Sequence, residues 1–282
     1  MFVRDILRKF RLVPLQMRLD IVVGLAIILL ILLMAVLADL AANPLRITAD
    51  QFRPPSPSHL FGTDQLGRDV FSRIAYGGRV SLVIALLGTI ASLAIATPVA
   101  LIAGYVGGKV DGLLTLVTDA IFIFPTLVLA LLIAAFLSTN PYGLVLAVSI
   151  SFIPATYRVI RSITLSIKQQ PLVEGEISLG ASSLYIVRKH VFPRTLSSLI
   201  VLASVNIAQA VLIVSSLGFL GLGVQPPTPE WGTDLNTARQ FVLGYQWWLM
   251  TFPGLFIFLT VIGFNMLGEV LSELSNPRLR GR

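Results

Sequence analysis

Apolar residues in this chain come in long unbroken runs instead of alternating or recurring every third and fourth position. A helix that crosses a bilayer needs about 20 largely apolar residues. Six stretches qualify: 21–40, 80–103, 112–137, 142–157, 196–222 and 248–271, the fourth being the shortest. The pattern predicts an all-α, polytopic membrane protein with six transmembrane helices. Arg4, Arg8, Lys9, Arg11 and Arg18 precede the first run, as in a secretory signal. Its apolar core from Ile21 to Ala38 nevertheless exceeds the usual signal core of about 7–15 residues, so it reads as a retained anchor.

The runs divide the chain into a tail (1–20), a first anchor (21–40), an external loop with an interfacial helix (41–79), a five-span core (80–272) and a C-terminal tail (273–282). The longest connector inside the core, 158–195, is too long to be a simple turn. Composition agrees with lipid as the solvent: 55% of residues are hydrophobic and only 12% charged, against roughly 25% charged in soluble domains. The chain has no cysteine, which excludes a disulfide framework and thiolate metal sites. A net charge of +7 would suit nucleic acid, but the basic residues flank apolar runs and form no single stripe. They report orientation instead. With both termini cytoplasmic, that side holds fifteen of the twenty-one, including Lys109, six between Arg158 and Arg194, and Arg278, Arg280 and Arg282.

Gly88, Ser92, Ala96, Ala100 and Gly104 recur every four residues and make one small-residue stripe. Such a stripe lets a neighbouring helix approach closely, a reading favoured over lining a pore. Pro98 and Pro125 fall inside spans two and three and predict kinks. His59 and His190 are the only histidines, and both lie in loops, which leaves no buried histidine relay or metal cluster. A phosphate-binding loop is absent: around Gly107, Gly108 and Lys109, Ala103 and Val110 occupy positions that need glycine and a hydroxyl. Asp119 in span three is a candidate intramembrane functional residue; the alternative is a cap or ion pair near the cytoplasmic interface. Asn206, Gln209 and Asn265 suit cross-helix hydrogen bonds.

Within the long connector, Pro171 can open a short helix, Glu174 and Glu176 sit in its first turns, and Gly180 can supply the left-handed stop. A second helix begins near Ser182 or Ser183, with Leu184, Val187 and Val191 on one face, and is expected to lie along the membrane or a partner. Before span two, Val70, Phe71, Ile74 and Ala75 form an apolar face, with Arg68 and Arg73 available for acidic partners or headgroups, a structural role favoured over binding a substrate carboxylate. After span five the run Pro226-Pro227-Thr228-Pro229 stiffens a loop, and Trp231 is placed for the interface.

Glu174, Gly180 six residues later, Ala181 and Pro193 resemble the EAA loop of importer-type ABC transporter permeases, whose short helix docks on an ATPase. Gly175 and Glu176 stand where that motif has alanines; the glycine weakens the helix and the glutamate adds charge. HLFGTDQLGRDVFSRIAYGGRVSL (59–82), FLGLGVQPPTPEWG (219–232) and the FPGL and FNMLGE runs are similar to C-type permeases of dipeptide, oligopeptide and nickel importers. The resemblance covers nearly the whole chain. It implies a type I importer permease fold in a bacterial inner membrane and a heterodimer with a homologous permease. It further implies two ATPase subunits or domains that carry ATP and magnesium, and an extracytoplasmic solute-binding protein. No cofactor, metal or catalytic residue is then expected on this chain, and peptides are the implied cargo, with nickel or another small solute as the alternative. An ion-coupled secondary transporter would need inverted repeats and paired intramembrane charges, and a membrane hydrolase would need a buried base. Neither pattern is evident.

Overall fold

The structure is a computed structural model and describes residues 15–137, 140–241 and 243–275. Arg4, Arg8, Lys9, Arg11, Arg278, Arg280 and Arg282 lie outside the described residues. Helix α1 (Leu15–Val36) runs on through a 3-10 turn (Leu37–Leu40), and a long loop leads to α2 (Val70–Val106). There follow α3 (Gly108–Phe122), α4 (Thr126–Leu137), α5 (Pro141–Lys168), α6 (Pro171–Ser178), α7 (Ser183–Phe219), α8 (Trp231–Ala238) and α9 (Trp248–Ser275).

By length and composition α1, α2, α5, α7 and α9 can each cross a membrane, and α3 with α4 makes the sixth span only as a pair bent by 85°. The run 112–137 is therefore broken at the proline where a kink was expected. Pro125 disfavours helical backbone at Phe124 and brings no N–H of its own. The fourth run also differs, since 142–157 is merely the first part of the 28-residue α5.

Helix α2 starts on Asp69, whose carboxylate accepts from the Ser72 N–H at 2.9 Å, and continues for 37 residues. At 1.5 Å per residue that is about 55 Å, against a hydrocarbon core of about 30 Å, so one end projects beyond the lipid. The expected interfacial helix before span two is thus not separate; it is the first turns of α2. The expected surface helix after Ser182 is likewise the foot of α7, joined to span five through a π-helical turn, Val187–Val191. That wider turn shifts the helical phase. As a result Ile186 and Val191 are buried while Leu184 is exposed.

The small-residue stripe is packed. A Cβ on Gly88 would lie 2.7 Å from Val148 Cγ1, and one on Gly104 would lie 2.9 Å from Thr164 Cβ, so α2 and α5 approach as only glycine permits. Gly24 and Gly263 do the same for α1 and α9. Two buried clusters result. One joins Ile74, Ile84, Val148, Leu217, Trp231 and Trp248 toward one end of the bundle. The other joins Ala100, Tyr157, Ile160, Val173, Ile186 and Val191 toward the other.

Candidate functional site

The loop end of the bundle is organised around α6. Pro171 occupies its first turn, where a missing N–H is harmless, and Glu174 lies in the same turn. The helix stops because Gly180 adopts φ +82°, and the Ala181 N–H returns to the Glu176 carbonyl at 3.0 Å. Ser182 then caps α7 by accepting from the Tyr185 N–H. Only Val173 of α6 is fully buried, set among Tyr157 and Ile160 of α5 and Ile186 and Val191 of α7. Leu172, Ile177, Leu179 and Leu184 are exposed, as are Glu174 and Gly175. Pro193 opens the α-helical part of α7 above the π turn.

Ion pairs fasten α3 to α5 near this end. Arg161 grips Asp111 through two hydrogen bonds of 2.5 Å, and Tyr157 shares a hydrogen bond with Thr115 at 2.9 Å. Asp119 accepts from Arg158 at 2.7 Å, and Arg158 lies 3.6 Å over the Phe122 ring. Both side chains of that pair are nearly half exposed. The geometry fits the ion-pair alternative for Asp119, with Arg158 of α5 as the partner. Asn206 of α7 reaches Thr156 of α5 across the bundle at 3.5 Å.

The opposite end is closed by a cap built from residues 41–69, the first turns of α2, the loop 220–230 and α8. Asp64 accepts from Arg68 Nε at 2.6 Å and from the Arg68 N–H at 3.0 Å. Arg73 pairs with Asp234 of α8 and lies 3.9 Å from Asp64. These two arginines are 7% and 6% exposed and paired with acidic side chains, which fits the structural role favoured for them over a substrate carboxylate. An unpaired guanidinium would be costly at this depth, and the acids from two distant segments remove that cost. Trp231, expected at the interface, is placed differently. It is fully buried, its Nε1–H donates to the Ile74 carbonyl at 2.9 Å, and Gly77 and Gly78 make room for its ring.

Glu230, before Trp231, is also fully buried. Its carboxylate caps α8 by accepting from the Gly232 N–H (3.0 Å) and the Thr233 N–H (2.8 Å), and it accepts from Ser81 Oγ of α2 at 2.8 Å. Burial pushes this carboxyl above the ordinary range, while the three donors pull it back. Trp248 Nε1–H donates to the Thr63 carbonyl at 3.1 Å, and Phe61 stacks on Phe252 with ring centroids 4.0 Å apart.

Residues 96–281 match the sequence profile of the family described as binding-protein-dependent transport system inner membrane component. The chain belongs to that family. It is a multi-pass permease subunit of an ABC importer. It is 40% identical over 227 residues to the glutathione transport system permease protein GsiD of Pectobacterium atrosepticum, covering 80% of this chain and 75% of that one. It is 36% identical over 266 residues to the dipeptide transport system permease protein DppC of Alkalihalophilus pseudofirmus, covering 92% and 86%. In fold it is similar to the MetNI methionine ABC transporter in an inward-facing form, with a TM-score of 0.59 at 18% identity over 72% of this chain and 96% of that one.

The profile of this permease begins in the middle of α2, so it takes in α6, α7 and α8 but leaves α1 and residues 41–69 of the cap outside. Several residues that shape the two ends were not singled out from the sequence: Asp64, Asp234 and Glu230 in the cap, and Asp111, Arg158 and Arg161 between α3 and α5. One signal was present. Asp111 and Asp119 lie eight residues apart and Arg158 and Arg161 three apart, so each pair shares a helix face.

Proposed function

We propose that this permease pairs with a homologous permease to form a path for small peptides, and that α6 docks into a separate ATPase subunit. ATP and magnesium then belong to the ATPases, and an extracytoplasmic binding protein delivers cargo at the capped end. The distribution of basic residues supports cytoplasmic termini, which puts the α6 end in the cytoplasm. The glutathione and dipeptide relatives support peptide cargo.

The observation that carries the coupling reading is the attachment of α6. Its outer face offers Leu172, Ile177 and Leu179 to solvent beside Glu174, while its one buried side chain, Val173, wedges between α5 and α7. Exposed apolar side chains on a lipid-free loop mark a contact surface. A push on that surface travels through Val173 into two spanning helices, which is a physical route from ATPase closure to alternating access.

Affinity purification of the chain in mild detergent should bring down an ATPase, and proteoliposomes containing the complex should take up glutathione or dialanine only with ATP. Recovery of the chain without an ATPase, or equal uptake without ATP, overturns the reading.

A further inference from the structure

The foot of α7 carries a histidine that the coupling reading does not use. His190 lies in the π-helical turn, and its Nε2 is 3.3 Å from Oε1 of Glu176 on α6, the two side chains being 12% and 27% exposed. Nε2 is buried and makes no aligned hydrogen bond among the described residues, so the carboxylate is the group it faces. The Tyr185 ring stands edge-on to the imidazole at 6.2 Å, and Lys189 donates to the Tyr185 hydroxyl. Tyr185, Lys189 and Glu176 are the titratable groups around the ring.

The other half of the observation is Gly175. A Cβ there would meet nothing within 4 Å, so packing does not require glycine. Its effect is to loosen a helix of only eight residues. The next residue, Glu176, supplies the bond to α7. The two positions where the resembled motif carries alanines thus hold a residue that softens α6 and a residue that ties it down.

We infer that Glu176 and His190 form a strut that restores the stiffness lost at Gly175, so that α6 and the foot of α7 move as one piece. The inference rests on the coupling reading: both are positioning residues that act by holding α6 in place for its docking surface. Because the chain joins α6 to α7 through the four residues Leu179 to Ser182, a side-chain bridge across that turn decides whether a push on α6 bends the turn or moves the span. The bridge is an ion pair when His190 is protonated.

The chain has no cysteine, so a single spin label at Leu172→Cys reports α6 motion in the full-length chain in lipid nanodiscs. Glu176→Ala and His190→Gln should each mobilise the label, and the double variant should mobilise it no further than either alone. Gly175→Ala added to Glu176→Ala should return it to the wild-type signal. In proteoliposomes of the whole complex, glutathione taken up per ATP hydrolysed should fall about three-fold in Glu176→Ala, the effect of one partly screened ion pair. It should recover in the Gly175→Ala double variant, a rescue that a purely structural defect would not show. Unchanged label mobility, or additive effects of the two single variants, overturns the strut. Gly180→Val in the same assay separates the two ideas. If it uncouples while the strut variants leave label and ratio untouched, the strut is wrong and the coupling reading stands. If Gly180→Val also leaves the ratio unchanged, the coupling reading fails, and the label still decides whether the strut exists.

Discussion

The two ends of the bundle solve opposite problems. At the capped end, charged and aromatic side chains from segments far apart in sequence are buried and paired with one another. Arg68, Arg73, Asp64, Asp234 and Glu230 have their partners inside the chain. At the α6 end, leucines and an isoleucine stand in solvent, and Val173 is the one fully buried side chain of the helix. The first arrangement is self-sufficient; the second is complete only against another surface. Substitutions at the capped end should therefore show up as lost stability, and substitutions on α6 as lost coupling in a stable protein.

The sharpest way to break this contrast is Arg73→Ala, which strands Asp234 in a buried site. It should cost about 3–5 kcal/mol, as removal of one partner from a buried pair does. Thermal unfolding in detergent should show the loss, with part recovered in Arg73→Ala/Asp234→Ala. A Glu230→Ala variant comes next, at about 2–3 kcal/mol, because the Gly232 and Thr233 N–H groups lose their acceptor.

The same residue gives the cap a pH dependence with a defined sign. Burial raises the folded pKa of Glu230 above its unfolded value of 4.5. Its contribution to stability is therefore complete below that value and is lost as pH rises through the higher folded one. Glu230→Gln, which does not titrate, should give a flatter stability profile over the same range. A wild-type profile that rises with pH there would contradict the burial argument.

At the other end, Gly180→Val places a β-branched residue at φ +82°. The strain, about 1–2 kcal/mol, stays within the turn. The melting temperature should scarcely move while ATP-driven uptake collapses. Smallest in stability is Leu179→Ser, expected within about 0.5 kcal/mol of wild type because the side chain contacts water. Its consequence should appear only as weaker retention of the ATPase during purification. Large destabilisation by either α6 variant would erase the distinction between the two ends.

Much of the fold was legible because lipid imposes a simple rule: long apolar runs become spans. The turn chemistry of α6 was equally local, with Pro171 starting the helix, Gly180 stopping it and Ser182 capping the next. The errors share one cause. Arg73 and Trp231 look free in sequence because their partners, Asp234 and the Ile74 carbonyl, are supplied by segments that meet only in the fold. The full lengths of α2 and α7 were missed for a related reason. A change in composition marks where lipid begins, whereas a helix ends only where its backbone is interrupted, and neither Val70 to Val106 nor Ser183 to Phe219 is interrupted.

The sequence by itself determined which segments lie in lipid, where α6 begins and ends, and that α2 must carry a closely packed face. These follow from hydrophobicity, backbone preference and side-chain size, which are properties of neighbouring residues. Only the tertiary structure decided the size of the bend near Pro125, the union of the helix after Ser182 with span five, and the choice of partner for Arg73, Arg158 and Arg161. Arg73 and Asp234 are 161 residues apart, and Arg161 and Asp111 are 50 apart. A pairing across that distance depends on the relative rotation and height of whole helices, which no local pattern contains.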